Sequence, residues 1–379
     1  MSASAVGHGT SLDEQVQDYG LYLIDKPLFY TGRRPQEWDW VQIFGNHLIV
    51  EQRDYDLHAL SELAADCIAK LNLDQQAAFE QITSAISTES GQTFFLHGPG
   101  GTGKTYLYNT LCYHLRSQEK IVLCVASSGI AAILLQGGRT AHSRFKIPIP
   151  CHESSVCSVS KNSLLAQLMH QTVLVIWDEA PMVHRHMMEA VDRTFQDILG
   201  SDKPFGGVPF VFGGDFQQIL PVIPGGSRGQ TVGACIQRSM LWGSITVIQL
   251  HQNMRLDTQI QAERDFAKWQ LEVGQGKHTS SEGSIIKVPD HMKCMEKNTV
   301  DCLLDTIYPG IRNGNLSANY FSEHTILFSL NVDVDSLNKS VLSKFPGPSR
   351  VFHSADFIPG SEQSGGRGSH AELPNGGSI

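Results

Sequence analysis

The sequence has no excess of basic residues. Its 379 residues hold 29 lysines and arginines against 38 aspartates and glutamates, a formal net charge of −9. That balance excludes a globally basic nucleic-acid binder and leaves room only for a local basic groove. No apolar run approaches the ~18 residues that a membrane-spanning helix needs. The eight cysteines (Cys67, Cys112, Cys124, Cys151, Cys157, Cys235, Cys294 and Cys302) contain no C-x-x-C pair. Cys151, His152 and Cys157 form the one cluster, and a fourth ligand at zinc spacing is missing. Scattered thiols of this kind predict a reducing, intracellular compartment. The N-terminus lacks the charged and apolar regions of a signal peptide and places Asp13 and Glu14 ahead of Arg33, so no secretory or transit peptide is expected. A last absence is local: no Asp or Glu lies between Ile121 and His152, while Arg139, Arg144 and Lys146 do. That window reads either as a polyanion-facing surface or as a buried strand and loop with few charges of either sign.

What is present is an ordinary globular composition, 41% hydrophobic and 18% charged, long enough for two or three domains. One stretch organises the rest. Phe94 to His97 reads as a short apolar strand, and Gly98-Pro99-Gly100-Gly101-Thr102-Gly103-Lys104-Thr105 fits G-x-x-x-x-G-K-[ST], a phosphate loop. Its glycines let backbone N–H groups curl around an anion, and the helix that starts near Lys104 points its positive end at the same place. Lys104 reaches the outer phosphates and the Thr105 hydroxyl is a Mg²⁺ ligand. The stretch implies an ATP or GTP site.

Along the chain, Leu21–Ile24 and Val41–Val50 are expected as short strands of an N-terminal extension, residues 1–66, that is only partly ordered. From Leu71, Asn72–Phe79 opens an amphipathic helix, with Asp74 or Asn72 available as its cap. Apolar runs at 93–97, 121–126, 173–177, 208–212 and 245–250 alternate with helical patterns at 104–117, 129–135, 162–170 and 187–199. This alternation predicts an α/β fold, a parallel sheet with helices on both faces. Ligands in such sheets bind beyond the carboxyl ends of strands. The phosphate loop and Asp178-Glu179 both fall there, so Asp178 is assigned to Mg²⁺ and Glu179 to the attacking water. Beyond Arg255, 260–272 reads as helix and Thr325–Phe328 as a strand opening a second α/β unit. From Pro359 the Gly/Ser-rich tail is expected to be disordered.

Leu71–Gln75, Gly98–Thr105, Ser127–Ala132, Gly138–Ser143, Asp178–Met182, Gly214–Val222 and Asn253-Met254-Arg255 occur in one order that resembles the PIF-type (petite integration frequency) DNA helicases of superfamily one. The wording is closest to the branch carried by Helitron transposons, and the resemblance covers roughly Leu71 to Asp356. It implies a RecA-like ATPase lobe at 67–250, a partial second RecA-like lobe at 251–358 and a tail at 359–379. It also implies a motor moving 5′ to 3′ on single-stranded DNA and acting on DNA junctions, with ATP and Mg²⁺, in repair, recombination, telomere maintenance or transposition, and a nuclear or mitochondrial setting. Residue by residue, Gln75 would read adenine, and Gly98 to Thr105 would hold the phosphates. Lys104, Glu179, Gln218 and Arg255 would serve catalysis, Gln218 by coupling the terminal phosphate to DNA and Arg255 as a finger from the second lobe. Ser128, Gly129, Arg139, Thr140, His142 and Ser143 would meet the DNA backbone.

The sequence departs from that family where Gln217 replaces a usual basic residue, and where a later lysine-serine-glutamine-glycine block and an arginine-bearing block have no counterpart. A nucleotide- and DNA-binding remnant without productive turnover is therefore a second reading. An unrelated phosphate-loop enzyme such as a small-molecule kinase would leave Gly214–Val222 followed by Asn253-Met254-Arg255 unexplained.

Overall fold

In a computed structural model the described residues are 46–256, 260–277 and most of 285–346. The expectations for residues 1–45 and for the tail from Pro359 lie outside them. The chain divides into two compact units, residues 1–278 and 279–379.

The first unit is built on strands β1 (Thr93–His97), β2 (Ile121–Ala126), β3 (Arg139–Thr140), β4 (Thr172–Asp178), β5 (Phe210–Gly214) and β6 (Ile245–Gln249). They form one sheet in the order β3-β2-β4-β5-β1-β6, and every pairing is parallel. A parallel sheet is covered on both faces, which is why Ile121–Ala126 is an unbroken apolar run, buried at every position. Successive side chains point to opposite faces. Phe94 and Leu96 accordingly enter one core with Val211, Leu174 and Ile176, whereas Phe95 enters the other with Phe210, Phe212, Val175 and Trp177.

The first of these cores is closed by α3 (Leu73–Ser87) and α4 (Lys104–Arg116), through Ile82, Leu107, Leu111 and Leu115. The second is closed by α7 (Leu164–Gln171) and α8 (Arg185–Leu199), with short α5 (Gly129–Ile133) and α6 (Ala141–Phe145) between β2 and α7. Later helices of this unit are α9 (Arg228–Ala234) and α10 (Gln261–Gly274). The parallel α/β sheet with helices on both faces is thus as the alternation predicts.

Three expectations are corrected. His47–Arg53 is helix α1, not part of a strand, because the Asn46 side chain accepts the Leu48 N–H and caps it. Asp56 caps α2 (Leu57–Ala69) in the same way. This N-terminal region packs into the unit: the Tyr55 ring stacks on the buried Arg116 guanidinium at 4.9 Å, and the Tyr106 hydroxyl donates to Cys67 O at 3.1 Å. The division between units also falls after His278 rather than at Leu250, so Asn253-Met254-Arg255 and α10 belong to the first unit. Within the second unit, α11 (Val300–Ile307), α12 (Tyr320–Glu323) and α13 (Asn331–Lys344) gather around Leu304, Tyr308, Ile311, Tyr320 and Leu337. Thr325–Phe328 is not a strand there. Among the described residues this unit offers it no ladder to join, and Leu327 is exposed.

β5 lies between β1 and β4, and its close reads in glycine for a steric reason. A Cβ on Gly213 would stand 1.5 Å from the Tyr108 hydroxyl oxygen, which is buried beside Asp178 without a well-aligned acceptor. Gly213→Ala is expected to destabilise the unit by ~3 kcal/mol or more, at the upper end of overpacking. Tyr108→Phe in the same chain should recover part of the loss, as read by denaturant unfolding. An alanine variant as stable as the parent would contradict the packing described.

Candidate functional site

The order β4-β5-β1 sets three strand ends side by side, and the candidate site grows from them. The phosphate loop leaves β1, Asp178-Glu179 leaves β4, and Asp215 follows β5.

For the loop to present N–H groups inward, its carbonyls must find donors behind it. All six from Gly98 to Gly103 do. Lys104 Nζ donates to Gly98 O at 2.6 Å and the Thr102 hydroxyl to Pro99 O at 2.9 Å. Asn253 Nδ2 reaches Gly100 O at 3.5 Å and the Met254 N–H reaches Gly101 O at 2.8 Å. Gln75 Nε2 donates to Thr102 O at 3.1 Å, and the Leu107 N–H to Gly103 O at 3.0 Å. Gly101 and Gly103 have φ of +90° and +79°. At each, an added Cβ would lie 2.4 Å from a supporting amide, Asn253 Oδ1 or Gln75 Nε2. The glycines therefore serve the turn and make room for its props.

Gln75 is the buried half of a capping box: its N–H donates to Asn72 Oδ1 at 2.9 Å and its Oε1 accepts the Asn72 N–H at 3.1 Å. Of the two candidate caps, Asn72 is the one used. Asp74 instead accepts the His251 N–H at 3.0 Å, and Leu250 N–H donates to His97 O at 2.8 Å. The segment from Leu250 to Arg255 is thus laid along the phosphate loop.

Opposite it, Asp178 is buried, its carboxylate accepts the Glu179 N–H at 3.0 Å, and Glu179 itself adopts φ +54°. Burial pushes the Asp178 carboxyl above its ordinary range, although the Glu179 N–H and Lys104 pull the other way. Burial and the neighbouring Asp178 charge likewise raise Glu179. Burial holds the Lys104 ammonium below its usual value against the pull of Asp178, Asp215 and Glu179. Asp215, also buried, accepts from the Gln217 N–H at 2.9 Å and from Gln218 Nε2 at 3.3 Å, so it aims the otherwise exposed Gln218. Arg255 is exposed, in the same unit as the loop, and close enough to bear on Lys104. Thr105 and Asp178 offer hard oxygen donors, one of them a buried carboxylate. That set suits Mg²⁺, which takes one or two protein ligands and completes its shell with phosphate and water.

The residues expected at DNA gather at the β2–β3 end of the same sheet edge. Ser128 accepts the Ala131 N–H at 3.2 Å and caps α5, Thr140 accepts the Ser143 N–H at 3.3 Å and caps α6, and Gly129 has open space around it. His142 is half-buried, and burial lowers its pKa. Arg139 is paired with Glu51 at 3.4 Å. Arg144 is buried, and burial together with Arg139 pushes it down to about 10, which leaves Lys146 as the exposed cation of the acid-free window. The window is mainly interior. Trp177 Nε1 donates to Ser127 Oγ at 3.1 Å and the Ser127 N–H to Asp178 O at 3.1 Å, joining this segment to β4.

A family model for PIF1-like helicase matches residues 70–284, more than half of the chain. The chain belongs to the PIF1-like helicase family. It is 35% identical over 154 residues to the ATP-dependent DNA helicase Pif1 of Psychrobacter sp. (strain PRwf-1), covering 40% of this chain and 23% of that protein. It is 28% identical over 297 residues to the ATP-dependent DNA helicase PIF1 of Danio rerio, covering 76% of this chain and 40% of that one. The chain therefore spans less than half the length of these relatives. Among solved structures, Pif1 helicase from Candida albicans aligns with a TM-score of 0.50 at 22% identity, over 73% of this chain and 55% of that one, and shares the fold.

Sequence reasoning missed Asp215 and Asn253 as parts of this PIF1-like site. Asp215 carried a signal in its Gly-Asp position after an apolar strand. Asn253 was visible only as part of the Asn253-Met254-Arg255 block, and its contact with a loop some 150 residues earlier was not.

The raised carboxyls set a pH and metal dependence. A carboxyl whose folded pKa is raised favours folding when protonated, so its contribution to stability is present in acid and lost as pH rises through the folded value. At neutral pH Asp178 thus burdens the nucleotide-free chain. Asp178→Asn should raise its melting temperature by about 2–4 °C, the shift that ~1 kcal/mol produces in a domain of this size. It should also remove the Mg²⁺-dependent part of nucleotide affinity, and in the parent chain that part should weaken as pH falls into the raised carboxylate range. A lower melting temperature for the nucleotide-free variant would refute the assignment.

Proposed function

We propose that this chain is an ATP-dependent DNA helicase motor, coupling ATP hydrolysis to 5′-to-3′ movement on single-stranded DNA and at DNA junctions. One observation supports it above the rest: a fully propped phosphate loop, Asp178-Glu179 and Ser127–Ser128 share one sheet edge, with Ser127 bonded to Asp178 O. The relatives named above are ATP-dependent DNA helicases, which supports DNA as the partner. Direction, the process served (repair, recombination, telomere maintenance or transposition) and a nuclear setting rest on the family resemblance. Among the described residues no helix is long and apolar enough to cross a membrane.

The polyphosphate of ATP takes the N–H groups of the loop, and Lys104 exchanges Gly98 O for the outer phosphates. Glu179, with its raised pKa, accepts a proton from the attacking water. Gln218, held by Asp215, lies after β5 where it can report the terminal phosphate to the DNA segment. Arg255 offsets charge on the transferring phosphoryl group. Thr105 and Asp178 would hold Mg²⁺, which when bound would supply Lewis-acid polarisation of the phosphates. At the β2–β3 end, Ser128, Gly129, Thr140, His142 and Ser143 position DNA phosphates without reading sequence, and Arg139 adds charge.

Glu179→Gln keeps the shape and removes the base, so ATP binding should persist while hydrolysis falls by about 10²–10⁴. Equal loss of binding and hydrolysis would contradict the role. Single-stranded DNA should stimulate the parent's hydrolysis, and nucleotide and DNA binding without stimulation would favour the remnant reading.

Glu51→Gln should remove the carboxylate charge that faces Arg139 and strengthen single-strand binding, with a log–log salt slope steeper by up to about 0.7, one phosphate contact. Unchanged affinity and slope would remove Arg139 from the interface.

A further inference from the structure

We propose that Asn253 is a positioning residue, tying the chain at Arg255 to the phosphate loop so that one loop sets both phosphates and arginine. The inference rests on the ATP-hydrolysing reading above. Three consecutive residues make the tie. Asn253 Oδ1 accepts the Arg255 N–H at 3.0 Å, a local turn of the kind asparagine favours. Its Nδ2 reaches Gly100 O at 3.5 Å, and the Met254 N–H donates to Gly101 O at 2.8 Å. The loop is shaped to receive this side chain, since an added Cβ at Gly101 would lie 2.4 Å from Asn253 Oδ1. The tie is backed from α3, where Asn72 Nδ2 meets Met254 Sδ at 3.2 Å and Asp74 holds His251. The Arg255 side chain is exposed, so where its backbone begins decides what it can reach. Asn253 supplies that origin relative to Gly100 and Gly101, and therefore relative to bound phosphates.

A merely structural asparagine would hold the turn and affect all nucleotide states alike. A positioning asparagine acts only where Arg255 acts, on the state with charge building at the terminal phosphoryl group. The test uses the full chain with Mg²⁺-ADP, alone and with aluminium fluoride, which stands in for the transferring group. In the parent chain, fluoride should tighten ADP binding. Asn253→Ala should reduce that tightening by about tenfold or more while changing ADP affinity alone by less than about fivefold, the signature of an interaction made in the transition state. Arg255→Ala should do the same, and the double variant should be no worse than Arg255→Ala alone. Asn253→Ser, whose hydroxyl can accept the same N–H, should recover part of the tightening and keeps the test open if the alanine variant folds poorly. Losses that multiply in the double variant, or tightening unaffected by Asn253→Ala, would overturn the inference. Absence of tightening in the parent chain would instead overturn the hydrolytic reading and take this inference with it.

Discussion

A phosphate loop works only if its carbonyls are occupied from behind. An unpaired carbonyl would compete with the phosphates for the loop's own N–H groups or rotate toward Lys104, and the anion cradle would collapse. Here the props come from three directions: Gln75 before the loop, Thr102, Lys104 and Leu107 within it and its helix, and Asn253 with Met254 from the segment that follows the neighbouring strand β6. Much of the first unit follows from that need. α3 must be capped so that Gln75 faces inward, and β6 must lie beside β1 so that the chain leaving it can run back over the loop. Lys104 holds Gly98 O while the loop is empty, and bound polyphosphate, gripping the loop's N–H groups, would take over that bracing as Lys104 turns to it.

Strand order then decides what the cradle can be coupled to. Because β4 is separated from β1 by β5, the Asp178-Glu179 pair faces the loop across Gly213 and Gly214, and only small residues fit between. Because β2 lies on the other side of β4, Ser127 can bond to Asp178 O and carry any shift of the acidic pair toward Ser128. The acidic pair and the segment proposed to meet DNA therefore leave neighbouring strands of one sheet.

The parts legible in the sequence were those whose signal is local. β2 and β4 showed as unbroken apolar runs because both faces of a parallel sheet are covered, and the loop showed because its glycines are adjacent. Spacing narrowed the cap of α3 to Asn72 or Asp74, and the structure uses Asn72. What escaped was set by contacts between distant residues. Arg139 looked like a free cation in an acid-free window because Glu51, its partner, lies 88 residues earlier. Arg255 looked like part of a second lobe because nothing nearby reveals the bonds that hold its segment to Gly101 and Asp74. The run at 41–50 read as strand, and a single asparagine side chain at 46 caps a helix over its last residues instead.

Glu179 has a consequence for how such a protein tolerates change. Its backbone sits at φ +54°, a left-handed conformation that costs an ordinary L-residue ~1–2 kcal/mol and glycine almost nothing. The residue proposed to take the proton thus stands where the chain would be more stable without a side chain. Relief and function are opposed at one position. A library screened for heat resistance alone would be drawn toward Glu179→Gly, gathering sturdier molecules that have lost the base, and only a selection that demands turnover would hold the glutamate in place.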